Sequence, residues 1–331
     1  MRNFEIKNAF LVDPYIGSAK KRDIWIIDGK IRYKKPTKSV KLELIEATGC
    51  VILPGLTDLR CHLGKGGEDT RKNIENSCKA AIAGGYTKIL AMPDFSPLID
   101  NTGSAKLVQS LFPRSDKIDV LLAGSLTVRA EGSHLSPLGS LKDAGIVAVT
   151  DCPHTTQNNQ IFTKGIQYAK MFDLPIIELP VEKTLSMNSS AHDGAVSLSM
   201  GLNGFPRLAE ELFVQRSIII SRDKNVRIHL SSISSEGSVE MIRMAKKKKI
   251  KITADTSVNH LFFTDMDIQG YDTNFKLLPP LREEKDREAL VKGVLDGTLD
   301  AINTSHEAHQ QHKKNIEFDL APEGVISLET A

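Results

Sequence analysis

The chain has 331 residues, with 43 Lys and Arg against 41 Asp and Glu, a formal charge of +2, and 40% hydrophobic residues. These proportions are typical of a globular protein and exclude a disordered or collagen-like chain, and no apolar run approaches the ~18 residues that a membrane-spanning helix needs. The near-neutral charge gives no electrostatic reason to expect a nucleic-acid partner, and the opening residues MRNFEIKNAFLVDP lack the basic-then-apolar layout of a signal peptide.

The first ~50 residues predict short β-strands. FEIKNAFLVD and KRDIWIIDGKIRYK alternate apolar and polar positions, and Asp28-Gly29 is a turn signal between two of the strands. Such short strands are not stable alone, because they must bury one face against another layer. We therefore expect residues 1–50 to form the N-terminal strands of a small β-sandwich domain.

From residue 51 onward, apolar strand candidates alternate with segments of helical periodicity. The predicted helices lie near 71–83, 137–143, 158–172, 206–222, 235–248 and 283–296. Eight strand candidates with helices between most of them predict parallel strands, because parallel neighbours need crossover connections. Residues 51–331 therefore predict an α/β fold, a (β/α)8 barrel of the TIM type.

The four cysteines are scattered and form no C-x-x-C pair: Cys50, Cys61, Cys78 and Cys152. This spacing favours neither a disulfide framework nor a zinc-binding motif. We therefore expect buried, unreactive thiols in a protein of the reducing cytoplasm, with no membrane association.

In a barrel of this type the functional side chains lie at the carboxyl ends of the strands. The first strand ends in DLRCHL, where strand alternation places Arg60 and His62 on one face. The next strand ends in Met-Pro-Asp with Asp94, the fourth strand ends at Asp151, and the sixth strand contains His229. These residues are the candidates for chemistry.

Several segments carry a family resemblance, in the order LPGLTDLRCHL, GGYTKILAMPD, YAKMFDLPII, EGSVEMIRMAKKKKIKITADTS, GYDTNFKLLPPLREEKDREAL and GTLDAINTSHEAH. Together they resemble the dihydroorotases of the amidohydrolase superfamily, from about residue 4 to residue 331. The resemblance implies a (β/α)8 barrel beside a small β-sandwich built from both chain ends. It also implies hydrolysis or closure of the dihydroorotate ring in pyrimidine synthesis, by a water activated on one or two zinc ions at the barrel mouth.

Transferred residue by residue, the family pattern matches this chain at only a few positions of the mouth. The first-strand motif Asp-x-His-x-His-x-Arg matches at Asp58 and His62, and the bridging carboxylate of the fourth strand matches Asp151. The non-ligand His of the sixth strand matches His229, and Asn274 in GYDTNFK is the remnant of a substrate-binding residue. The resemblance therefore leaves His62 and Asp151 as the remaining metal ligands.

Four expected ligand positions carry residues that do not supply a ligand: Arg60, Leu179, Ser232 and Ser305. Ser305 also stands at the position of the general base, and its hydroxyl pKa is too high to take a proton near neutral pH. Gly64 and Asp94 stand where the family has the Arg and the Asn that hold the substrate carboxylate. A catalytic zinc needs three protein ligands and a water, and a guanidinium in a ligand position repels the ion.

Some of these residues have two interpretations. Asp151 either forms an ion pair with Arg60, which we expect, or binds a residual metal. We expect His62 and His229 to be hydrogen-bonded core histidines rather than ligands. The tract of Glu307 with His306, His309 and His312 is either a polar loop or an adventitious metal site.

These replacements predict a dihydroorotase homologue without intrinsic ring hydrolysis or cyclisation, which acts as a structural or regulatory protein and binds no cofactor. The resemblance implies aspartate carbamoyltransferase or an active dihydroorotase as the partner, and a homo-oligomer. The first alternative is an active zinc-dependent cyclic amidohydrolase, of the dihydroorotase, hydantoinase or allantoinase type, with a metal site rebuilt around His62 and Asp151. The second is a binding protein that keeps an anion pocket around Arg60.

The length also bears on the domain organisation. The chain stops at GVISLETA, whereas members of the resembled family continue for roughly another 80–90 residues. The resemblance implies that this tail returns strands to the N-terminal sandwich. We therefore expect an incomplete N-terminal sheet, which a longer native chain or a partner would cover.

Overall fold

The computed structural model describes residues 2–37, 40–64, 69–113 and 117–331. The chain forms two compact units, one up to Leu56 and one from Thr57 to Ala331. None of the helices in these described ranges combines the length and the apolar character that crossing a bilayer requires.

Seven short strands of the first unit's described residues form two sheets. Their bounds are β1 (Phe4–Lys7), β2 (Phe10–Asp13), β3 (Ser18–Lys21), β4 (Ile24–Ile27), β5 (Lys30–Arg32), β6 (Glu43–Glu46) and β7 (Val51–Ile52). One sheet has the order β5-β4-β1-β6, and the other has the order β3-β2-β7. Asp28 and Gly29 both have positive φ angles between β4 and β5, as a two-residue hairpin turn requires. The predicted N-terminal strands are therefore confirmed.

The remaining strands begin at the boundary between the units. Their bounds are β8 (Leu56–His62), β9 (Tyr86–Ala91), β10 (Asp119–Gly124), β11 (Ala148–Val149), β12 (Ile176–Glu178), β13 (Ala191–His192), β14 (Gly204–Phe205), β15 (Ile228–Leu230), β16 (Ile252–Ser257), β17 (Ala301–Asn303) and β18 (His306–Glu307). β13 and β14 pair with each other, and the other strands form one parallel sheet in the order β17-β16-β15-β12-β11-β10-β9-β8-β18.

The last two strands join the edges of this sheet. Only Thr304 and Ser305 separate β17, which pairs with β16, from β18, which pairs with β8. Asp58 of β8 is fully buried and accepts hydrogen bonds from the backbone nitrogen of Thr304 at 2.9 Å and from its hydroxyl at 2.6 Å. These bonds tie the first barrel strand to the last, and the expected (β/α)8 barrel is confirmed.

The helices of the described residues are α1 (Thr70–Ala83), α2 (Thr102–Leu111), α3 (Leu138–Asp143), α4 (Asn159–Met171), α5 (Ala195–Met200), α6 (Arg207–Lys224), α7 (Glu236–Lys247), α8 (Val258–Phe262), α9 (Glu284–Leu295) and α10 (Gln311–Lys314). The six predicted helices are confirmed to within two residues at each end. Four helices were not predicted from the sequence, namely α2, α5, α8 and α10. Of these, α2 has a clear start signal, because Asn101 caps it by accepting a hydrogen bond from the backbone nitrogen of Ser104 at 3.0 Å.

Strand alternation divides the apolar residues of the barrel into two layers. Ile89 and Leu122 belong to the large cluster that packs the strands against the helices. Their neighbours Leu90 and Ala123 belong to a smaller cluster inside the barrel. The barrel interior is therefore a packed core.

The cysteine prediction is wrong at one position. Cys61, Cys78 and Cys152 are buried free thiols as expected, but Cys50 is exposed. The reason is its place just before the short strand β7, whose residues lie outside the buried core.

Gly84, which follows α1, lies against the end of the described chain. A Cβ added to Gly84 would lie 1.9 Å from the carbonyl oxygen of the buried Leu328. We expect Gly84→Ala to lower the free energy of unfolding by about 1–3 kcal/mol, because it overpacks this contact. Gly270→Ala is the matched control, since no atom lies within 4 Å of that Cβ position. Urea unfolding measures both, and a Gly84→Ala midpoint equal to the wild type would contradict the packing.

Candidate functional site

Arg60, His62 and Asp94 form one buried cluster at the carboxyl ends of β8 and β9. Nδ1 of His62 lies 2.8 Å from Oδ2 of Asp94, and Nε2 of the same ring lies 3.3 Å from Nε of Arg60. Arg60 is 2% exposed and also donates from Nη2 to the carbonyl oxygen of Leu278 at 3.2 Å, while its Nη1 is buried without a hydrogen-bond partner. His62 is thus held between a carboxylate and a guanidinium.

The charges around His62 decide its protonation. Burial lowers the pKa of His62, but the carboxylates of Asp94 and Glu307 outweigh burial and raise this pKa to about 10. The contact with Arg60 suits the neutral ring, since Nε2 accepts a hydrogen bond only without its own proton. Asp94 is the closer neighbour, at 2.8 Å against 3.3 Å for Arg60, so the pKa of His62 lies above its ordinary value. In the neutral state both ring nitrogens are engaged, and in the charged state neither has a lone pair for a metal ion.

Asp151 does not pair with Arg60, so the expected ion pair is wrong. Its Oδ1 accepts from the hydroxyl of Ser125 at 2.8 Å and from the backbone nitrogen of Thr127 at 2.9 Å. Its Oδ2 accepts from the hydroxyls of Thr127 at 2.7 Å and Thr156 at 2.6 Å. A carboxylate has about four lone-pair directions, and these contacts occupy them, with the single hydroxyl hydrogen of Ser125 shared between Asp151 and the carbonyl oxygen of Thr127 at 2.7 Å. These donors lie in the loops after β10 and after β11. Arg60, on β8, is not among the partners of Asp151.

Leu179 fills the ligand position after β12 with an apolar side chain. It is 1% exposed and belongs to the inner cluster with Met92, Cys152 and Ile177. The part of the mouth that the resemblance assigns to a ligand His is therefore packed core.

Ser232 and Ser305 belong to a hydrogen-bonded network centred on Asp255. The two serine hydroxyls lie 3.2 Å apart, and Asn303 donates to Ser232 at 2.9 Å and to Asp255 at 2.7 Å. His229 lies 3.0 Å from the other oxygen of Asp255. Burial raises the pKa of Asp255, but the charge of His229 and the hydrogen bonds outweigh it, so this pKa lies below its ordinary value.

The sequence analysis missed Asp255 and the part played by Asn303 in this network. Both are fully or almost fully buried polar residues on barrel strands. Thr253 and Asp255 are two residues apart on β16, so their side chains lie on the same face. They contact the two ring nitrogens of His229, whose Nδ1 lies 3.0 Å from the Thr253 hydroxyl. A carboxylate on a strand of the buried barrel was the available signal, since Asp is almost never fully buried unless it is paired.

The histidines after β17 face different partners. His306 lies 3.4 Å from the Ser77 hydroxyl through Nε2, and His309 lies 2.7 Å from the carbonyl oxygen of Glu323. His312 is exposed on α10. His306 lies on β18 and is 2% exposed, and only His309 lies between elements, so the expected polar loop is wrong for most of this tract. The three rings have different partners, and the tract does not form a set of converging metal ligands among the described residues.

Gly64 and Asn274, two positions that the resemblance relates to substrate binding, have different neighbours in the structure. A Cβ on Gly64 would lie 3.1 Å from Cα of Phe95 and 3.2 Å from the carbonyl oxygen of Asp94. Asn274 is exposed, and its amide donates to Asp272 of its own loop at 2.9 Å.

The described side chains at the mouth do not bring three ligand atoms together around His62 or Asp151. Among the described residues, no set of three His, Cys, Asp or Glu ligand atoms within 4.8 Å of one another includes His62 or Asp151. The cavity beside Arg60 and Ser305 measures about 40 Å³, which leaves room for a few water molecules. A larger cavity of about 450 Å³ adjoins it and shares the lining residues Pro153, Leu278 and Glu323.

His192, Asp265 and Glu283 do bring ligand atoms within 4.8 Å of one another. However, Nη1 of Arg282 lies 3.1 Å from Nδ1 of His192, which places the ring proton on Nε2. A ligating His has the reverse arrangement and donates from its second nitrogen. Glu283 is in addition paired with Arg207 at 2.6 Å. This cluster is a structural network rather than a metal site.

Comparison with known proteins places these observations in a family. A family model described as dihydro-orotase-like matches residues 49–238. The dihydroorotase of Endomicrobium trichonymphae is 38% identical over 326 residues, which are 98% of this chain and 77% of that protein. The dihydroorotase of Syntrophotalea carbinolica is 37% identical over 327 residues, with the same two shares.

Solved structures support the fold. The L-hydantoinase of Arthrobacter aurescens superposes with a TM-score of 0.86 at 20% identity, over 100% of this chain and 76% of that chain. The dihydropyrimidinase of Brevibacillus agri has a TM-score of 0.82 at 18% identity, over 99% of this chain and 74% of that chain. At these identities the likeness carries the barrel architecture and no activity.

Asp151→Asn tests whether this carboxylate is structural. The substitution places an NH2 group against donors, so we expect a loss of about 1–3 kcal/mol in the free energy of unfolding. Asp143→Asn, at the exposed end of α3, is the matched control and should leave the urea midpoint unchanged. If dialysis against EDTA lowered the wild-type midpoint to that of Asp151→Asn, Asp151 would instead hold a metal.

His306 predicts a pH dependence of stability. Its Nδ1 accepts from the backbone nitrogens of Ser327 and Leu328, and burial lowers its pKa from 6.5 to about 4. The unfolded chain therefore binds this proton first, and stability falls as the pH drops from about 6.5 towards 4, by up to about 3 kcal/mol. His306→Gln keeps an acceptor that does not titrate, so its unfolding free energy should vary less across this range. Parallel curves for the two proteins would contradict the assignment.

Proposed function

The chain belongs to the dihydroorotase-like family, and on that premise we propose that it is a homologue without intrinsic dihydroorotate hydrolysis or cyclisation. The observation that carries the proposal is the state of the two remaining ligand positions. His62 is engaged by Asp94 and Arg60, and Asp151 is saturated by four donors. A zinc ion would have to displace these bonds and tolerate a guanidinium beside it.

The position of the general base supports the same proposal. Ser305 donates from its hydroxyl to Oδ1 of Asn303 at 2.8 Å. A serine hydroxyl does not accept a proton from water near neutral pH without a base beside it. Its nearest polar neighbours, Asn303 and Ser232, supply none.

The position that would hold the substrate carboxylate is also altered. Gly64 offers no cation, and the close approach of Phe95 leaves little space for a longer side chain. Asp94 turns a carboxylate towards the mouth residue His62. A bound carboxylate about 4 Å from Asp94 would be repelled by about 1–4 kcal/mol, between the surface and partly buried limits.

We further propose that the retained barrel acts as a structural or regulatory subunit of pyrimidine synthesis. Aspartate carbamoyltransferase, an active dihydroorotase or a second copy of the chain is the proposed partner. Two observations support this proposal. The barrel is intact, and the polar groups at its mouth are hydrogen-bonded to other residues of the chain. Co-expression with the two enzymes of the same genome, followed by light scattering, should yield a complex of defined mass.

An activity assay tests the loss of chemistry. With added zinc, the purified protein should hydrolyse dihydroorotate no faster than a no-enzyme control and should retain less than about 0.1 zinc per chain. The dihydroorotase of Endomicrobium trichonymphae, assayed in parallel, serves as the positive control. Turnover with stoichiometric zinc would overturn the proposal in favour of an active cyclic amidohydrolase.

A restoration experiment tests the cause. The variant Arg60→His, Leu179→His, Ser232→His, Ser305→Asp returns the family's ligand types to the four replaced positions. We expect it to bind about one or more zinc ions per chain, because three or more ligands then converge with His62 and Asp151. Arg60→Gln alone is the control, since it removes the cation without adding a ligand. If the wild type and the Arg60→Gln control bound as much zinc as the restored variant, the ligand argument would be contradicted.

A further inference from the structure

The longest described helix, α6, has 18 residues and is apolar on two sides. Its inner side packs on the barrel with four buried apolar side chains, Ala209, Phe213, Val214 and Ile218. Its outer side carries three exposed aliphatic side chains, since Leu208 is 51% exposed, Leu212 47% and Ile219 44%. A helix that covers a barrel needs only one apolar side, so the outer side has no role in the fold of the single chain.

The outer aliphatic residues belong to a row with the spacing of a helix–helix contact. Leu208, Leu212, Gln215, Ile219 and Arg222 are all exposed and follow one another at intervals of four, three, four and three residues. This spacing keeps the five side chains on one face, and it is the spacing at which two helices pack side by side. We call this row the outer stripe of α6.

The outward faces of two neighbouring helices in the chain are polar by comparison. The exposed side chains on α7 are Glu236, Glu240, Met244 and Lys247, and those on α9 are Glu284, Lys285, Glu288, Lys292 and Leu295. Each of these helices exposes one apolar residue, in its last turn, whereas α6 exposes three along its length. Single exposed apolar residues are ordinary on a protein surface, but several aligned on one face indicate an interaction surface.

Two charged residues lie beside this stripe at opposite ends of α6. Glu211 lies in the first half of the helix, and Arg222 lies in its last turn. Within the described residues neither takes part in an ion pair, although Ser235 donates to Glu211 at 3.5 Å, and Asp223 is paired with Lys224 at 2.8 Å. The outer stripe therefore has an anionic end and a cationic end.

These charges select the direction in which a second α6 could pack. In a parallel pair of α6 helices, Glu211 would face Glu211 and Arg222 would face Arg222, and like charges repel. In an antiparallel pair, Glu211 of each copy lies near Arg222 of the other. The opposed helix dipoles favour the antiparallel pair as well.

We propose that α6 forms a two-fold interface with α6 of a second copy of this chain, in which the two helices run antiparallel. A two-fold interface uses the same surface on both copies, so this surface must be complementary to itself. Leu212 of one copy then packs against Ile219 of the other. Leu208 packs against the aliphatic part of Arg222, whose guanidinium reaches Glu211.

The length of α6 limits the strength of this contact. Its 18 residues span about 27 Å. One pair of helices of this length buries less than the ~800 Å² per partner of a standard interface. We therefore expect a dimer that dissociates at micromolar concentration.

The inference selects the second copy among the partners named in the proposed function, but it rests on α6 and not on the mouth of the barrel. Turnover with stoichiometric zinc would overturn the proposed loss of chemistry and leave this dimer unaffected. A chain that is monomeric alone but binds one of the two enzymes would overturn the dimer and leave the proposed function standing.

Sedimentation velocity of the full chain, from about 1 to 100 μM, tests the interface. We expect a concentration-dependent dimer, and Leu212→Asp should weaken it at least about tenfold, because a charge would be buried in an apolar contact. Leu107→Asp is the matched control, since Leu107 is 51% exposed on α2, and it should dimerise like the wild type. A wild-type monomer at all concentrations would overturn the proposal. Equal association of Leu212→Asp and Leu107→Asp would also overturn it.

Charge reversal tests the antiparallel direction. Glu211→Arg and Arg222→Glu each bring like charges together across the interface, twice because of the two-fold symmetry, and each should weaken the dimer at least about fivefold. The double variant Glu211→Arg/Arg222→Glu restores opposite charges and should dimerise within about threefold of the wild type. A double variant no stronger than the single ones would contradict the antiparallel pairing. Thermal melts of all variants check that the fold is unchanged.

Discussion

A buried carboxylate must have its lone pairs satisfied, and at Asp151 this chain supplies the four donors itself. The donors come from Ser125, Thr127 and Thr156, so the carboxylate ties the loop after β10 to the loop after β11. A metal ion at this position would need one of these lone pairs. The mouth of the barrel is therefore organised by hydrogen bonds within the chain, and its geometry does not depend on a metal.

The same constraint applies on the other side of the mouth, where Asp255 accepts from His229, Ser232 and Asn303. At two positions where the resemblance implies a ligand His or Asp, this chain has a serine hydroxyl, which both donates and accepts. Ser232 and Ser305 use this property to close a network with Asn303. Leu179 differs from the two serines, because an apolar side chain needs no hydrogen-bond partner and packs in the inner cluster. Both kinds of replacement leave few unsatisfied groups.

The sequence determined the fold almost completely, because helical periodicity, caps and apolar strands are local signals. Four helices were not predicted: the short α5, α8 and α10, and α2, whose sequence TGSAKLVQSL has Gly and Ser in its first turn, which obscures the period. The site was harder to predict. Strand alternation correctly placed Arg60 and His62 together. Asp151, however, is held by four donor groups of three residues in two loops, and no local pattern encodes them. The partners of Asp255 were likewise not predictable locally, since His229 lies on β15, Ser232 in the loop after it and Asn303 on β17.

Arg60 and Asp94 are best understood together. Relative to the family pattern, one adds a buried cation and the other a buried anion, and His62 lies between them at 3.3 and 2.8 Å. Either charge alone would be costly, since an unpaired buried ion loses its hydration without compensation. Together they place a cation and an anion on the two sides of the His62 ring, so the buried cluster contains charges of both signs. His62 links the two charges, and its position therefore depends on both Arg60 and Asp94.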